Sequence, residues 1–192
     1  MAIHGMIDLE TLGTTADTVI LTVGAIKFDP LTDAEPYADM YHRLNVDQQT
    51  DLGRTIDNST IQWWGKQKAE IWEEALGDDN RIDVDDFIRD LQKWIVGVDV
   101  VWAQGYGFDI TILDHLLLSK GHNLPWNFWN VRDSRTLFQL MPQDPRKAMN
   151  FAAHNALEDC RAQAKCVQYC YRELGIIKGC HCRIRCYYKR VS

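Results

Sequence analysis

The order in which hydrophobic periodicity changes along the chain constrains its fold more than any other feature. Residues 3–9 and 18–28 (TVILTVGAIKF) are dense in β-branched and apolar side chains, and a polar stretch of Thr, Gly and Asp separates them, the pattern of two strands joined by a turn. Residues 39–44 (DMYHRL) fit a third strand. The period then becomes helical. Ser59 or Thr60 can cap a helix over IQWWGKQ, AEIWEEAL follows, and residues 84–96 place Phe87, Leu91, Trp94 and Ile95 on one face behind a cap at Asp83. Strand and helix alternate from there: DVVWA (99–103) reads as a short buried strand, Gly105 and Gly107 as a turn, and 110–119 as a helix ending before Gly121. The strand-to-helix step recurs in WNVRDSRTLFQLM, and a last long helix spans 155–174 before Gly175 stops it. An antiparallel group followed by alternating strands and helices predicts an α/β fold: a mixed sheet of five to six strands with helices on both faces and the active site at strand ends.

Composition bounds the class. At 192 residues, 46% hydrophobic and 25% charged, the chain suits one soluble domain over 1–176 with a short tail at 177–192. Neither a signal peptide nor a membrane span fits: MAIHGMIDLE lacks a basic start, and Asp99 breaks the short apolar run IVGVDVVWA. A cytoplasmic, membrane-free protein is the expectation. Six cysteines (160, 166, 170, 180, 182, 186) all fall in the last third, which suits thiols better than a disulfide framework. The net charge of −6 is unevenly spread: the tail carries Lys178, Arg183, Arg185, Lys189 and Arg190 with no acid, leaving −11 (−6 less 5) on the rest. That balance argues against a salt-dependent coat of phosphate contacts. Bound cations would reverse the sign locally, so an acidic body can still hold phosphate.

Within the first strand, Asp8 and Glu10 stand two residues apart and project from one face. Carboxylates that close repel each other. Divalent cations relieve the repulsion, and a pair of them can polarise a phosphate, activate an attacking water and stabilise the leaving oxygen. Asp109, at a helix start in YGFDITIL, is a natural third ligand, and HNALEDC adds His154 and Asp159. Asp159 lies a turn into the last helix while His154 precedes it, so a fixed acid and a mobile imidazole are expected. A histidine's ordinary pKa of about 6.5 lets the neutral form accept a proton from water. Taken singly, the DxE pair also fits a solvated strand edge and the HxxxxD spacing also arises by accident; their order and context raise the set above either.

The ordered set DLE (8–10), GFD (107–109) and HNALED (154–159) resembles the DEDDh branch of 3′-to-5′ exonucleases. Within that branch, STIQWW (59–64), VWAQGYGFDITIL (101–113), VRDSRTLFQL (131–140) and HNALEDCRAQAKCV (154–167) are similar to the group found in phage and prophage exonucleases and in the amino-terminal part of exodeoxyribonuclease VIII. The likeness spans about residues 3 to 174. It implies a ribonuclease H-like fold, with Asp8, Glu10, Asp109 and Asp159 as ligands of two Mg²⁺ ions (Mn²⁺ as an alternative) and His154 as general base. It implies release of nucleoside 5′-monophosphates from the 3′ end of DNA or RNA, with single-stranded nucleic acid or 3′ overhangs as partners. A homodimer is a candidate assembly that the sequence leaves open. Two positions depart from the commoner pattern. Gln104 and Gly105 replace an HN pair before the FD, and TLG (11–13) replaces TTG, which bears on the nucleobase contacts implied at Thr11 and Leu12. A nucleic-acid-binding or docking domain without turnover is the competing reading. Buried clustered acids are costly to keep without a metal, which weighs against it.

Other residues divide between function and packing. Adjacent helix residues point about 100° apart, so of Trp63 and Trp64 one is expected in the core and one free to stack on a base. Arg132 is a candidate phosphate contact, as is Arg135, against an ion pair with Asp133 that anchors the strand-to-helix junction. Cys180, His181, Cys182 and Cys186 do not make a zinc site, because CHC is too tight for a CxxC knuckle and no matching pair completes a tetrahedron. Cys166 and Cys170, one turn apart, read as small core-facing residues, and the tail as a solvated end.

Overall fold

The computed structural model describes residues 2–148 and 154–176. The tail at 177–192, with its basic residues and its three cysteines, falls outside the described residues. Strands β1 (His4–Thr11), β2 (Ile20–Phe28) and β3 (Tyr37–Leu44) form an antiparallel meander. Helices α1 (Val46–Asp51), α2 (Asn58–Trp64) and α3 (Ala69–Leu76) follow, then a two-residue strand β4 (Arg81–Ile82) and helix α4 (Val84–Trp94). Strand β5 (Val100–Ala103) leads into α5 (Tyr106–Ser119), β6 (Val131–Asp133) into α6 (Ser134–Gln139), and α7 (Ala156–Glu173) comes last. The six strands make one mixed sheet in the order β4-β3-β2-β1-β5-β6, with β5 parallel to β1 and β6 parallel to β5.

Period-two alternation in β1 sorts the core onto two faces. Ile7 and Leu9 join Phe87, Ile88 and Leu91 of α4 and Ile112, Leu113 and Leu116 of α5 on one face. Met6 faces the other way, among Phe138 of α6 and Cys160, Ala164, Val167 and Cys170 of α7. Cys166 and Cys170 are therefore core residues, as their spacing predicts. Asp8 and Glu10 continue the Met6 side of the strand, beneath the start of α7.

Three local details differ from the sequence reading. Helix α2 is capped by Asp57, whose carboxylate accepts from Ser59 N at 2.9 Å, so neither Ser59 nor Thr60 is the cap. Helix α5 begins at Tyr106, four residues before the apolar period sets in, because Gly105 makes the turn alone with φ +112° and Gly107 is already helical. Asp83 occupies the N-cap position of α4 without a side-chain cap bond; Val84 N donates instead to Gln48 Oε1 at 2.7 Å. No described helix is long and apolar enough to cross a membrane.

Candidate active site

A cleft of about 440 Å³ opens where β1, the start of α5 and the start of α7 meet, and Asp8, Glu10, Asp109, His154 and Asp159 all line it. Asp8, Glu10 and Asp159 each offer an oxygen, and these atoms lie within 4.8 Å of one another. Asp109 stands outside that triplet. It is 3% exposed, in the first turn of α5, and one of its oxygens accepts from Leu9 N at 3.2 Å, which ties the helix to β1.

The close approach of α7 depends on Gly24. Gly24 pairs with Asp8 across the β1–β2 register, and a Cβ there would stand 2.3 Å from the Ala156 carbonyl. Only a glycine lets the first turn of α7 settle on the sheet beside Asp8. Cys160 reinforces the contact by donating from Sγ to Gly24 O at 3.2 Å. Asn155 caps the helix through Leu157 N and Glu158 N, both at 3.1 Å. His154, just before the cap, takes a left-handed φ of +73° and donates its backbone N–H to Asp159 Oδ2 at 2.9 Å. One carboxylate oxygen thus fixes the histidine's backbone, while its imidazole lies against the Trp63 and Trp64 rings.

Burial and mutual repulsion dominate the electrostatics of the cluster. Burial, followed by the charges of Asp109, Glu10 and Asp159, pushes the Asp8 carboxyl well above its ordinary range. Burial and the neighbouring Asp159 and Asp109 raise Glu10 to about 8. Burial lifts Asp109 to about 7, against the pull of the Leu9 N–H, and raises Asp159 against the His154 N–H. Four carboxyls that resist ionising in one cleft, offering hard oxygen donors only, fit divalent cations of the Mg²⁺ or Mn²⁺ type.

The remaining candidates separate. Trp64 is 1% exposed and donates from Nε1 to Thr11 O at 2.9 Å, whereas Trp63 is 41% exposed, so the pair divides as its helical spacing requires. The Trp63 ring meets the His154 imidazole edge-on, with centroids 5.0 Å apart. Trp63 also lines a second depression of about 430 Å³ with Glu10, Thr11, Ser59 and Phe108. Thr11 and Leu12 are both buried; Thr11 Oγ1 donates to Gly13 O at 2.7 Å, and Leu12 packs in a small core around Trp64. Arg132 is not brought to the cleft: its guanidinium donates to the carbonyls of Trp129 (2.6 Å) and Val131 (2.9 Å). Arg135 does line the cleft, steadied by Gln104 O at 3.2 Å. No ion pair joins these arginines to Asp133 among the described residues. Asp133 anchors the junction by capping α6 at Arg135 N (3.2 Å) and Thr136 N (3.3 Å) and by accepting from Gly105 N at 2.9 Å.

Among the lining residues that sequence reasoning missed, two bear on the chemistry. Arg146, held by Asp144 through contacts of 2.5–3.1 Å, supplies a second cation beside the acids. Gln163, one turn beyond Asp159 on α7, donates from Nε2 to Asp8 Oδ1 at 2.8 Å. The i, i+4 spacing from Asp159 was the available signal for it.

This mixed six-stranded sheet with its helices is similar in structure to ribonuclease H-like exonucleases. Cell-death related nuclease 4 (CRN-4) superposes with a TM-score of 0.64 at 14% identity, over 91% of this chain and 65% of that one. Exonuclease I of E. coli, solved with a dT13 oligonucleotide, gives 0.63 at 13% identity over 91% of this chain and 43% of its own. The nuclease domain of 3′hExo, a DEDDh family member bound to rAMP, gives 0.57 at 12% identity over 94% of both chains. The chain thus spans about two thirds of the first and less than half of the second. By sequence, residues 3–171 match the 3′-5′ exoribonuclease Rv2179c-like domain, and the chain belongs to that family. It is also 26% identical to an exodeoxyribonuclease of Enterobacteria phage T4, over 87% of this chain and 88% of the phage protein.

Proposed function

We propose that this protein is a two-cation 3′-5′ exonuclease that releases nucleoside 5′-monophosphates from single-stranded nucleic acid or 3′ overhangs. Asp8, Glu10, Asp109 and Asp159 hold the cations, Mg²⁺ or Mn²⁺, and His154 is the general base. The observation that carries this reading is the convergence of Asp8, Glu10 and Asp159 oxygens within 4.8 Å, in a cleft that Asp109 and His154 also line.

When bound, the cations supply charge neutralisation, polarisation of the phosphate and a lowered pKa for water. The chain supplies the rest. Its carboxylates fix where the phosphate must sit, and Arg135 and Arg146 offer donors to the non-bridging oxygens from the same cleft. His154 takes the proton from the attacking water and returns it to solvent. The exposed ring of Trp63, edge-on to His154, offers a face to the terminal base and so places the 3′ nucleotide against the acids.

Matched 5′-labelled RNA and DNA oligonucleotides, incubated with Mg²⁺, test the reading. Shortening from the 3′ end by single nucleotides is expected, abolished by excess EDTA and by Asp8→Asn or Asp109→Asn. Cleavage that survives EDTA, or an oligonucleotide bound without turnover in both Mg²⁺ and Mn²⁺, contradicts it. The RNA-to-DNA rate ratio reads out whether the site accepts a 2′-hydroxyl.

A further inference from the structure

The cleft contains a side chain that the proposed mechanism leaves without a task. Gln163 projects from α7 into the cleft and is 5% exposed. Its Nε2 donates to Asp8 Oδ1 at 2.8 Å. Its Oε1 is buried and has no hydrogen-bond partner in the protein. A buried carbonyl oxygen left unpaired is destabilising, so its retention calls for a donor that arrives from elsewhere. With Nε2 committed to Asp8, Oε1 is the amide atom left over.

The two amide atoms therefore perform separate tasks. Nε2 occupies Oδ1 of Asp8 and so restrains the rotation of a carboxylate that shares the cluster with Glu10 and Asp159. Oε1 awaits a donor in the cleft, and the protons of a hydrated cation's water are donors of that kind. We infer that Gln163 is a positioning residue of the cation site, orienting Asp8 through Nε2 and accepting through Oε1 from the cation's hydration shell. The inference rests on the carboxylate-site reading above. It assigns Gln163 no contact with substrate; its effect passes through Asp8 and the bound ion, as outer partners of metal ligands act elsewhere.

Gln163→Met tests it, because methionine keeps the length and removes both amide atoms. Calorimetric titration of Mn²⁺ into the protein, well below the melting temperature, is expected to give a dissociation constant 10- to 100-fold weaker than wild type. In EDTA the variant's melting temperature is expected not to fall, because the substitution also removes an unpaired buried acceptor. With Mg²⁺, kcat should drop while KM for an oligonucleotide holds. Unchanged Mn²⁺ affinity in Gln163→Met, with wild type binding normally, overturns the inference and leaves the carboxylate site standing. A lowered cation-free melting temperature with unchanged affinity marks a packing role and overturns it equally. Failure of wild type itself to bind Mn²⁺ overturns both readings.

Discussion

Trp63 and Trp64 show how neighbouring residues of one type take different work from one turn of helix. Trp64 is sealed in the core with its indole N–H on Thr11 O, so Trp64→Ala removes packing and is expected to cost about 3–5 kcal/mol of stability, read by urea denaturation. Trp63→Ala is expected to leave the melting temperature near wild type and weaken oligonucleotide binding by about 1–3 kcal/mol, read by fluorescence anisotropy. Equal effects of the two substitutions on stability would contradict the division. His154→Gln retains length and polarity without a basic nitrogen, and kcat is expected to fall by about 10²–10⁴ with cation affinity held. At this scale the acids were legible, because period two in a strand dictates that Asp8 and Glu10 share a face. Arg132 and Gln163 were not. Which arginine reaches a cleft depends on how the Asp133 cap turns the chain, and the i, i+4 spacing that puts Gln163 on the Asp159 side of α7 does not reveal Asp8 as its partner across the fold.

At the scale of elements, the site is a joint between α7 and β1 that Gly24 permits. Gly24→Ala forces a Cβ into the Ala156 carbonyl, so the start of α7 must move, carrying His154 and Asp159 with it. A displacement of about 1 Å in a catalytic group can lower rate about a hundredfold, and kcat of Gly24→Ala is expected to fall by that order while far-UV circular dichroism stays native. Wild-type kcat in this variant would contradict the joint. The same joint makes stability depend on pH. Glu10 and Asp109 are raised to about 8 and about 7 in the folded state, so the unfolded chain gives up those protons first and stability falls as pH rises through those values. His4 acts with the opposite sign, since burial beside Trp102 and Phe28 holds it down to about 4 and its share is lost only as pH falls below about 6.5. Between pH 6.5 and 8.5 in EDTA the melting temperature is therefore expected to drop by several degrees. Saturating Mg²⁺ should remove most of that drop; a drop of the same size with and without Mg²⁺ would contradict a cation among these acids. The long elements were legible from periodicity, whereas β4 and α1 were not. A two-residue strand has no period, and α1 rests on the Asn45 cap and the buried Gln49, whose amide exchanges hydrogen bonds with the Ile20 backbone at 2.8–2.9 Å.

The whole molecule places acids from three distant stretches of sequence at one end of a sheet, and its topology explains why. Strand β1 is central, flanked by β2 and β5, so its carboxyl end is the natural meeting point for α5, which leaves β5, and for α7, which packs across β1 and β2. The mixed sheet with helices on both faces followed from the order of strand and helix patterns, and the ribonuclease H-like class from the ordered acids. The crossover that sets β5 beside β1 could be anticipated only through that class, since no local signal encodes which strands pair. An acidic molecule that acts on a polyanion needs its charge inverted where the two meet, and cations held by the carboxylate cluster would supply that inversion. Anomalous diffraction from crystals soaked in Mn²⁺ tests this most directly. Strong peaks are expected in the cleft among the carboxylates of Asp8, Glu10, Asp109 and Asp159; Mn²⁺ peaks confined to other surfaces, with none among these side chains, would contradict a cation site there.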